Sequence, residues 1–299
     1  MDRRHLEYLI SVVEHGSFTA GAAALHVTQG ALSQAIAQLE RELEVPLFSR
    51  GAGRTSLTPA GEAVLAPARL ALRGFDAVRA AASATSGPTV GQVDLATLPT
   101  LADWPASQWV AAFRQRFPHA SVRLRGPAVL RTAELGEMVY RGVCEIGLTE
   151  AGVSTSGLIE EHLVSHDYVA LLPPEHEDWH GLTIPTDKLL DIGLIVGRWW
   201  ETSRPYLALR EARPGQVDQS VAVRTDHHSA YLPLVVAGAG AAVLPRYAAA
   251  LARAAGVAIG ELEMDTRRDL AIIRRHEALS PIAQHFYDCA YDLFPGLRG

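Results

Sequence analysis

Gln29, Ser33, Gln34 and Gln38 are uncharged polar residues spaced so that they fall along one side of a helix. Their amides and hydroxyl both donate and accept hydrogen bonds, which is the chemistry needed to read base edges in the major groove of DNA. The other side of the segment carries Leu32, Ile36, Leu39 and Leu43, spaced four, three and four apart, an apolar stripe suited to a core. A solvated amphipathic helix would show the same periodicity, so the flanking residues decide. Upstream, the small residues of Thr19 to Leu25 can form a short helix, His26 and Val27 make a turn, and Thr28 is placed to cap a helix that begins at Gln29 and Gly30. This is the order of a helix-turn-helix. Downstream, Arg50 and Arg54 bracket Gly51, Ala52 and Gly53 in an expected two-stranded wing, where guanidiniums suit phosphate contacts.

A second chemistry is offered by Gly197 to Trp200, GRWW. An arginine beside two indoles can hold a carboxylate bidentately and cover an aromatic body with a ring, while the plainer alternative is a surface arginine next to a core tryptophan. Catalytic sets do not assemble. His176, Glu177, Asp178, Trp179 and His180 spell H-E-x-x-H, but Pro173 and Pro174 precede them and Gly181 follows, so the long helix that a zinc site of this kind requires is not expected. His162 and His166 are also four apart, in a chain rich enough in histidine to produce such pairs by chance. There is no P-loop, G-x-G-x-x-G or G-x-S-x-G, and Gly238 and Gly240 suit a tight helix-to-strand turn better than a phosphate cradle. No catalytic residue, metal or cofactor is expected.

The elements that must position these groups follow from pattern. The start, residues 1 to 15, reads as a first amphipathic helix with Leu6, Leu9, Ile10 and Val13 inward. Thr58 and Pro59 open another helix, a threonine cap followed by a proline at the first helical position. Along it Val64, Ala68, Ala71, Phe75, Val78 and Ala82 alternate spacings of four and three, the seam of a short coiled coil or of a helix packed on its own domain. Pro67 predicts a bend, and Ser83 to Thr89 reads as an interdomain hinge.

Beyond the hinge, strands alternate with helices. Strands are predicted over Gln92 to Thr97, Ser121 to Arg125 and Cys144 to Thr149, with helices over Pro105 to Phe117 and Thr132 to Arg141, an order that implies a parallel sheet. A second unit follows, with strands over Tyr168 to Leu172, Ile192 to Val196, Val221 to Arg224 and Ala241 to Leu244. A strand over Arg268 to Arg274 and a helix over Pro281 to Leu293 close the chain. Ligands of open α/β sheets bind beyond the carboxyl ends of strands. That rule singles out Thr97, Thr100, Thr149, Arg198, Trp199, Thr225 and His227, a mixture of neutral donors, one cation and a ring that suits a small organic anion.

With 299 residues, 48% of them hydrophobic and 20% charged, the chain has room for two domains and the balance of a globular protein, and it has no apolar run of membrane-spanning length. Two cysteines, Cys144 and Cys289, point to a reducing, cytoplasmic setting and to buried hydrophobes rather than to a disulfide framework. The net charge of −6 argues weakly against nucleic acid, and residues 1–58 themselves carry five arginines against six acids. Placement outweighs the total, because Glu40, Glu42 and Glu44 fall at the far end of the reading helix whereas Arg50 and Arg54 fall in the wing.

The residues Phe18, Thr19, Ala22, Ala23, Leu25, Val27 to Gln29, Ala31 to Ser33, Leu39, Glu40, Leu43, Pro46 to Phe48, Arg50, Leu57, Thr58, Ala60 and Gly61 together resemble the amino-terminal signature of the LysR-type transcriptional regulators. Gly30 departs from it, since the family commonly has proline there, and glycine loosens the helix start by about 1 kcal/mol relative to alanine. The resemblance implies an α/β chain with an N-terminal all-α winged helix-turn-helix domain over 1–58, a linker helix and hinge over 59–88 through which copies dimerise, and an effector domain over 89–299. That domain would comprise two Rossmann-like α/β subdomains, 91–166 with 268–299 and 167–267, built like a periplasmic solute-binding protein. It further implies a homodimer, usually paired into a homotetramer, on an inverted-repeat DNA operator with half-sites about 34 Å apart. A solute-binding protein would use the cleft but would need a signal peptide and have no use for residues 1–88. An enzyme with a DNA-binding appendage would need a catalytic set.

Overall fold

The structure, a computed structural model, describes residues 1–49, 55–84, 90–127, 132–152, 157–198 and 200–294. Asp2 and Ser17 cap α1 (Arg3–His15) and α2 (Phe18–Ala24) by accepting from the amides of His5 and Ala20. Thr28 caps α3 (Gln29–Leu43) as expected, its Oγ1 accepting from the Ala31 amide at 3.2 Å. Leu32, Ile36 and Leu39 of α3 share a core with Leu6, Leu9 and Val12 of α1, while Ile10, Val13 and Leu43 lie at its margin. The inward side of α1 is thus turned toward Val12 relative to the expected stripe. The cause is α2, which also covers α1: the Ser11 hydroxyl donates to the Gly21 carbonyl at 2.9 Å, and Ala22 joins the core.

β1 (Phe48–Ser49) pairs antiparallel with β2 (Ser56–Leu57), so the two strands of the expected wing are present. α4 (Pro59–Ala84) continues across Pro67. Pro67 and Ala63, whose carbonyl loses its helical donor, are both exposed, so water can take the missing hydrogen bond and the proline does not end the helix. The predicted seam divides along this helix. Ala68 and the neighbouring Leu65 are buried in the core of α1 and α3, whereas Phe75 is 46% and Val78 71% exposed. The expected hinge falls largely on 85–89, outside the described residues.

The remainder is α/β. In order it comprises β3 (Gly91–Thr97), α5 (Pro99–Leu101), a π-helical stretch (Ala102–Ala106), α6 (Ser107–Arg116), β4 (Ala120–Arg125), α7 (Thr132–Tyr140), β5 (Ile146–Glu150), β6 (Leu158–His166) and β7 (Tyr168–Leu172). There follow β8 (Thr183–Ile184), α8 (Thr186–Ile192), β9 (Leu194–Gly197), α9 (Arg204–Ala212), β10 (Val221–Thr225), α10 (Tyr231–Val236), β11 (Ala242–Pro245), α11 (Ala248–Ala254), β12 (Ala258–Leu262), β13 (Arg268–Arg275) and α12 (Pro281–Leu293). The chain forms two compact units, Met1–Glu161 with Ile272–Gly299, and His162–Ala271, so the divisions fall within β6 and β13.

In the first unit β3 lies parallel to both β4 and β5, within the order β4-β3-β5-β13-β6, as the alternation predicted. Trp109 of α6 stacks on Phe286 of α12 at 4.2 Å and donates to its carbonyl, fixing the two helices together. The second unit departs from a parallel sheet. β7 is antiparallel to both β11 and β12, while the β9–β10 and β12–β8 pairs are parallel. The expected subdomain boundary at 166/167 falls at the end of β6. That strand, LIEEHLVSH, buries only Leu163 and so lacks the alternation that marks a strand.

Candidate nucleic-acid interface and ligand site

The outer side of α3 presents what the spacing predicted. Gln29, Gly30, Gln34 and Gln38 are exposed, Ser33 is half-buried, and Thr28 is exposed at the cap. These side chains are partly ordered by one another: the Gln29 amide lies 3.4 Å from the Ser33 hydroxyl, and Gln38 donates to Glu42 at 3.2 Å. A Cβ at Gly30 would meet nothing within 4 Å, so the glycine is required by no neighbour and leaves the start of the reading surface open. Arg50 and Arg54 lie outside the described residues.

The acids near the end of α3 are largely occupied internally. Glu40 Oε1 accepts from the amides of both Leu47 and Phe48, at 2.7 and 3.1 Å, and so holds the entry to β1. Glu42 pairs with the N-terminal amine and takes a hydrogen bond from Gln38, which together lower its carboxyl pKa. The acidic count that weighed against DNA therefore describes groups that position the domain. Spacing alone does not disclose this role of Glu40, because its partners are backbone amides seven and eight residues away.

Of the predicted ligand residues, the first unit holds Thr97, Thr100 and Thr149. Thr97 pairs with Leu148 in the β3–β5 register, so Thr97 and Thr149 sit at adjacent carboxyl ends of parallel strands. Thr97 is buried and its hydroxyl donates to the Leu98 carbonyl at 3.2 Å, while Thr100 is half-buried on α5. Thr149 is fully buried and its Oγ1 has no hydrogen-bond partner among the described residues. An orphaned hydroxyl costs about 1–3 kcal/mol, so it calls for an explanation.

The second unit holds Arg198, Thr225 and His227. Thr225 lies opposite Gly197 in the parallel β9–β10 pair, which again gathers these residues at one carboxyl edge. Arg198 and His227 are exposed, and Thr225 Oγ1 accepts from the His227 amide at 3.0 Å. Trp199 lies outside the described residues, and Trp200 is core, packed edge-on to Tyr206 at 5.8 Å. One residue here was missed. A Cβ on Gly197 would lie 2.5 Å from Tyr231 Oη, so the hydroxyl of this first residue of α10 rests against the glycine at the end of β9. Burial pushes its pKa up to about 12, which keeps it a donor at neutral pH. The signal in the sequence was a glycine at a strand end, whose meaning depends on a ring 34 positions further along the chain.

The rejected metal motif is otherwise engaged. Pro174–Trp179 is a 3-10 helix with His176 off helical geometry, and His180 Nδ1 accepts from the Ile259 amide at 3.2 Å, holding β12. Cys144 is fully buried and burial pushes its thiol up to about 12, and burial also raises that of Cys289.

A winged helix-turn-helix followed by an α/β domain with donors at its strand ends defines a DNA-binding regulator that carries a ligand domain. The model of the bacterial regulatory helix-turn-helix protein, lysR family, matches residues 3–62, and that of the LysR substrate binding domain matches residues 86–295. The chain belongs to the LysR family of DNA-binding transcriptional regulators. It is 28% identical over 292 residues to YbhD, an uncharacterized HTH-type transcriptional regulator of Escherichia coli K12, covering 97% of this chain and 90% of that one. It is 31% identical over 191 residues to a probable hydrogen peroxide-inducible genes activator of Mycobacterium leprae, covering 64% of this chain and 60% of the relative's length. Full-length CbnR, solved with its target DNA, shares the fold with a TM-score of 0.63 at 24% identity, over 98% of this chain and 99% of that one. A full-length OxyR variant from Pseudomonas aeruginosa does so at 0.72 and 20% identity, over 97% and 95%. No described helix is long and apolar enough to cross a membrane.

Proposed function

We propose that this regulator is controlled by a small organic anion that takes a hydrogen bond from Thr149 in the first unit. Thr97 and Thr100 are further candidate contacts in that unit, and Arg198, Trp199, Thr225, Tyr231 and His227 are the separate candidates of the second. The observation that carries this reading is the Thr149 hydroxyl, buried at a strand's carboxyl end without a protein partner, since a ligand acceptor there offsets the cost of its burial. The Thr149 hydroxyl as donor and the Arg198 guanidinium fit a carboxylate or another oxyanion. The exposed end of the seam, Ala71, Phe75, Val78 and Ala82, pairs with a second copy, and two such dimers engage an inverted repeat through Gln29, Ser33, Gln34 and Gln38, with Arg50 and Arg54 on phosphates. The anion acts by binding one arrangement of the subunits better than another.

Peroxide sensing, as in the name of the Mycobacterium leprae relative, finds no support here. Thiol oxidation needs an accessible thiolate, and burial holds both cysteines in the thiol form. The test is a gel shift on DNA from immediately upstream of the coding region, at two salt concentrations, with a panel of small carboxylates including benzoate and, separately, hydrogen peroxide. A discrete shift that resists unrelated DNA and responds to a carboxylate, but not to peroxide, is expected. A response to peroxide alone, or to neutral analogues as strongly as to acids, overturns the anion reading.

A further inference from the structure

Two arginines of α4 leave the helix in the direction of the turn between α7 and β5, both within the first unit. Arg69 is 8% exposed; its Nη1 donates to the Arg141 carbonyl at 3.0 Å and its Nη2 lies 3.7 Å from Glu14 of α1. Arg73, one turn further along, donates from Nη2 to the carbonyls of Gly142 and Val143, at 2.7 and 3.2 Å. Three successive carbonyls just past the C-terminus of α7 are thus held by guanidiniums of another helix, where the helix dipole also favours positive charge. Arg73 Nε also lies 3.6 Å from Glu145 Oε2, a carboxylate that is 4% exposed and accepts from both the amide and the hydroxyl of Ser280, the cap of α12.

The turn is shaped for this approach. Gly142 is in the left-handed region at φ 68°, and a Cβ there would sit 3.6 Å from the Ala66 backbone of α4 and 3.3 Å from Arg275 Nη1. Arg141 returns the contact by pairing with Glu62 of α4 at 3.1 Å. The site is expensive to build: burial lowers the pKa of Arg69, and the neighbouring Arg73, Arg125 and Arg141 act in the same direction. β5 begins directly after Glu145 and carries Thr149 near its other end, about 13 Å away at the usual strand rise.

We infer that Arg69 and Arg73 are positioning residues that latch α4 onto the α7–β5 turn, so that a displacement at the Thr149 end of β5 is delivered to the helix that carries the DNA-binding domain. This rests on the reading of Thr149 as a ligand contact. The latch has two consequences that need no ligand: it protects the turn, and it fixes the angle at which α4 enters the DNA complex.

Both are measured on the full chain. Wild type, Arg69→Ala, Arg73→Ala, Arg73→Lys and a control, Arg116→Ala, which removes an exposed ion pair with Asp292, are compared by amide hydrogen exchange and by circular-permutation gel shift on the upstream DNA. Exchange at residues 141–145 about tenfold faster in both alanine variants than in the control, with a changed DNA bend at an unchanged binding midpoint, is expected. Arg73→Lys, which keeps the charge but lacks the planar fork, falls between, and serves if an alanine variant fails to fold. Exchange and bend equal to wild type overturn the latch, as does an equal change in Arg116→Ala. If wild type fails to shift this DNA, the operator reading fails while exchange still judges the latch. An alanine variant that keeps the wild-type response to carboxylates although exchange at the turn is faster overturns delivery through the latch and leaves the ligand reading standing.

Discussion

The reading side of α3 and the carboxyl end of β5 treat polar side chains in opposite ways. On α3 the glutamines are exposed and already lean on neighbours of their own helix, so they lose little by waiting in water. On β5 the Thr149 hydroxyl is sealed away with no partner among the described residues. The first surface meets a partner that brings its own hydration and is read by displacing or sharing water. The second is committed to a partner in advance and is less stable without it. On the proposed reading, the difference separates a surface suited to search along DNA from a ligand contact suited to selection.

The comparison is tested most severely where α3 is supported rather than where it reads. Glu40→Ala leaves the amides of Leu47 and Phe48 without their acceptor and is expected to cost about 3 kcal/mol, a typical value for two hydrogen bonds to a charged group. Thermal unfolding and gel shift should both deteriorate. Retention of full DNA affinity would mean that the entry to β1 does not matter for reading. Thr149→Val sharpens the contrast from the other side. Removing an unpartnered hydroxyl at nearly constant volume should raise stability by about 1 kcal/mol while weakening the carboxylate response about tenfold. A fall in stability would show that water or a protein group already satisfies Thr149. Gly197→Ala should destabilise the second unit by about 1–3 kcal/mol of overpacking, its Cβ forcing Tyr231 Oη away, as thermal unfolding would show. Gly30→Ala is the mildest: with open space around the position, it should stabilise by at most about 1 kcal/mol and leave DNA affinity within a few fold. A large loss of affinity there would show that the bare backbone at Gly30 itself approaches DNA.

What the sequence disclosed follows from the range of the interactions involved. The capping of α3 by Thr28, the stripe Leu32, Ile36 and Leu39, the parallel strands β3 to β5 and the helix Pro281–Leu293 are set by residues within a turn or an alternation of one another, and pattern finds them. The strand-end rule also located Thr97, Thr149 and Thr225, because it depends only on where strands stop. It could not find Tyr231, whose hydroxyl meets Gly197 through tertiary packing, nor the antiparallel partners of β7, which lie about 70 and 90 residues downstream by strand spacing. β6 was hidden by its own composition, and Glu40 by having backbone rather than side chains as partners.

The burial of Leu65 and Ala68 in the core of α1 and α3 bears on how this protein can be taken apart. A graft that joined residues 1–58 to a foreign ligand domain would sever that core, and one that began the foreign chain just after Ala68 would keep the core but discard Arg69 and Arg73. The earliest junction that preserves both lies beyond Arg73, and it carries the guanidiniums into a host whose turn has no reason to receive them. Exchange of reading heads between such regulators is therefore constrained by fit at the junction as well as by specificity for DNA.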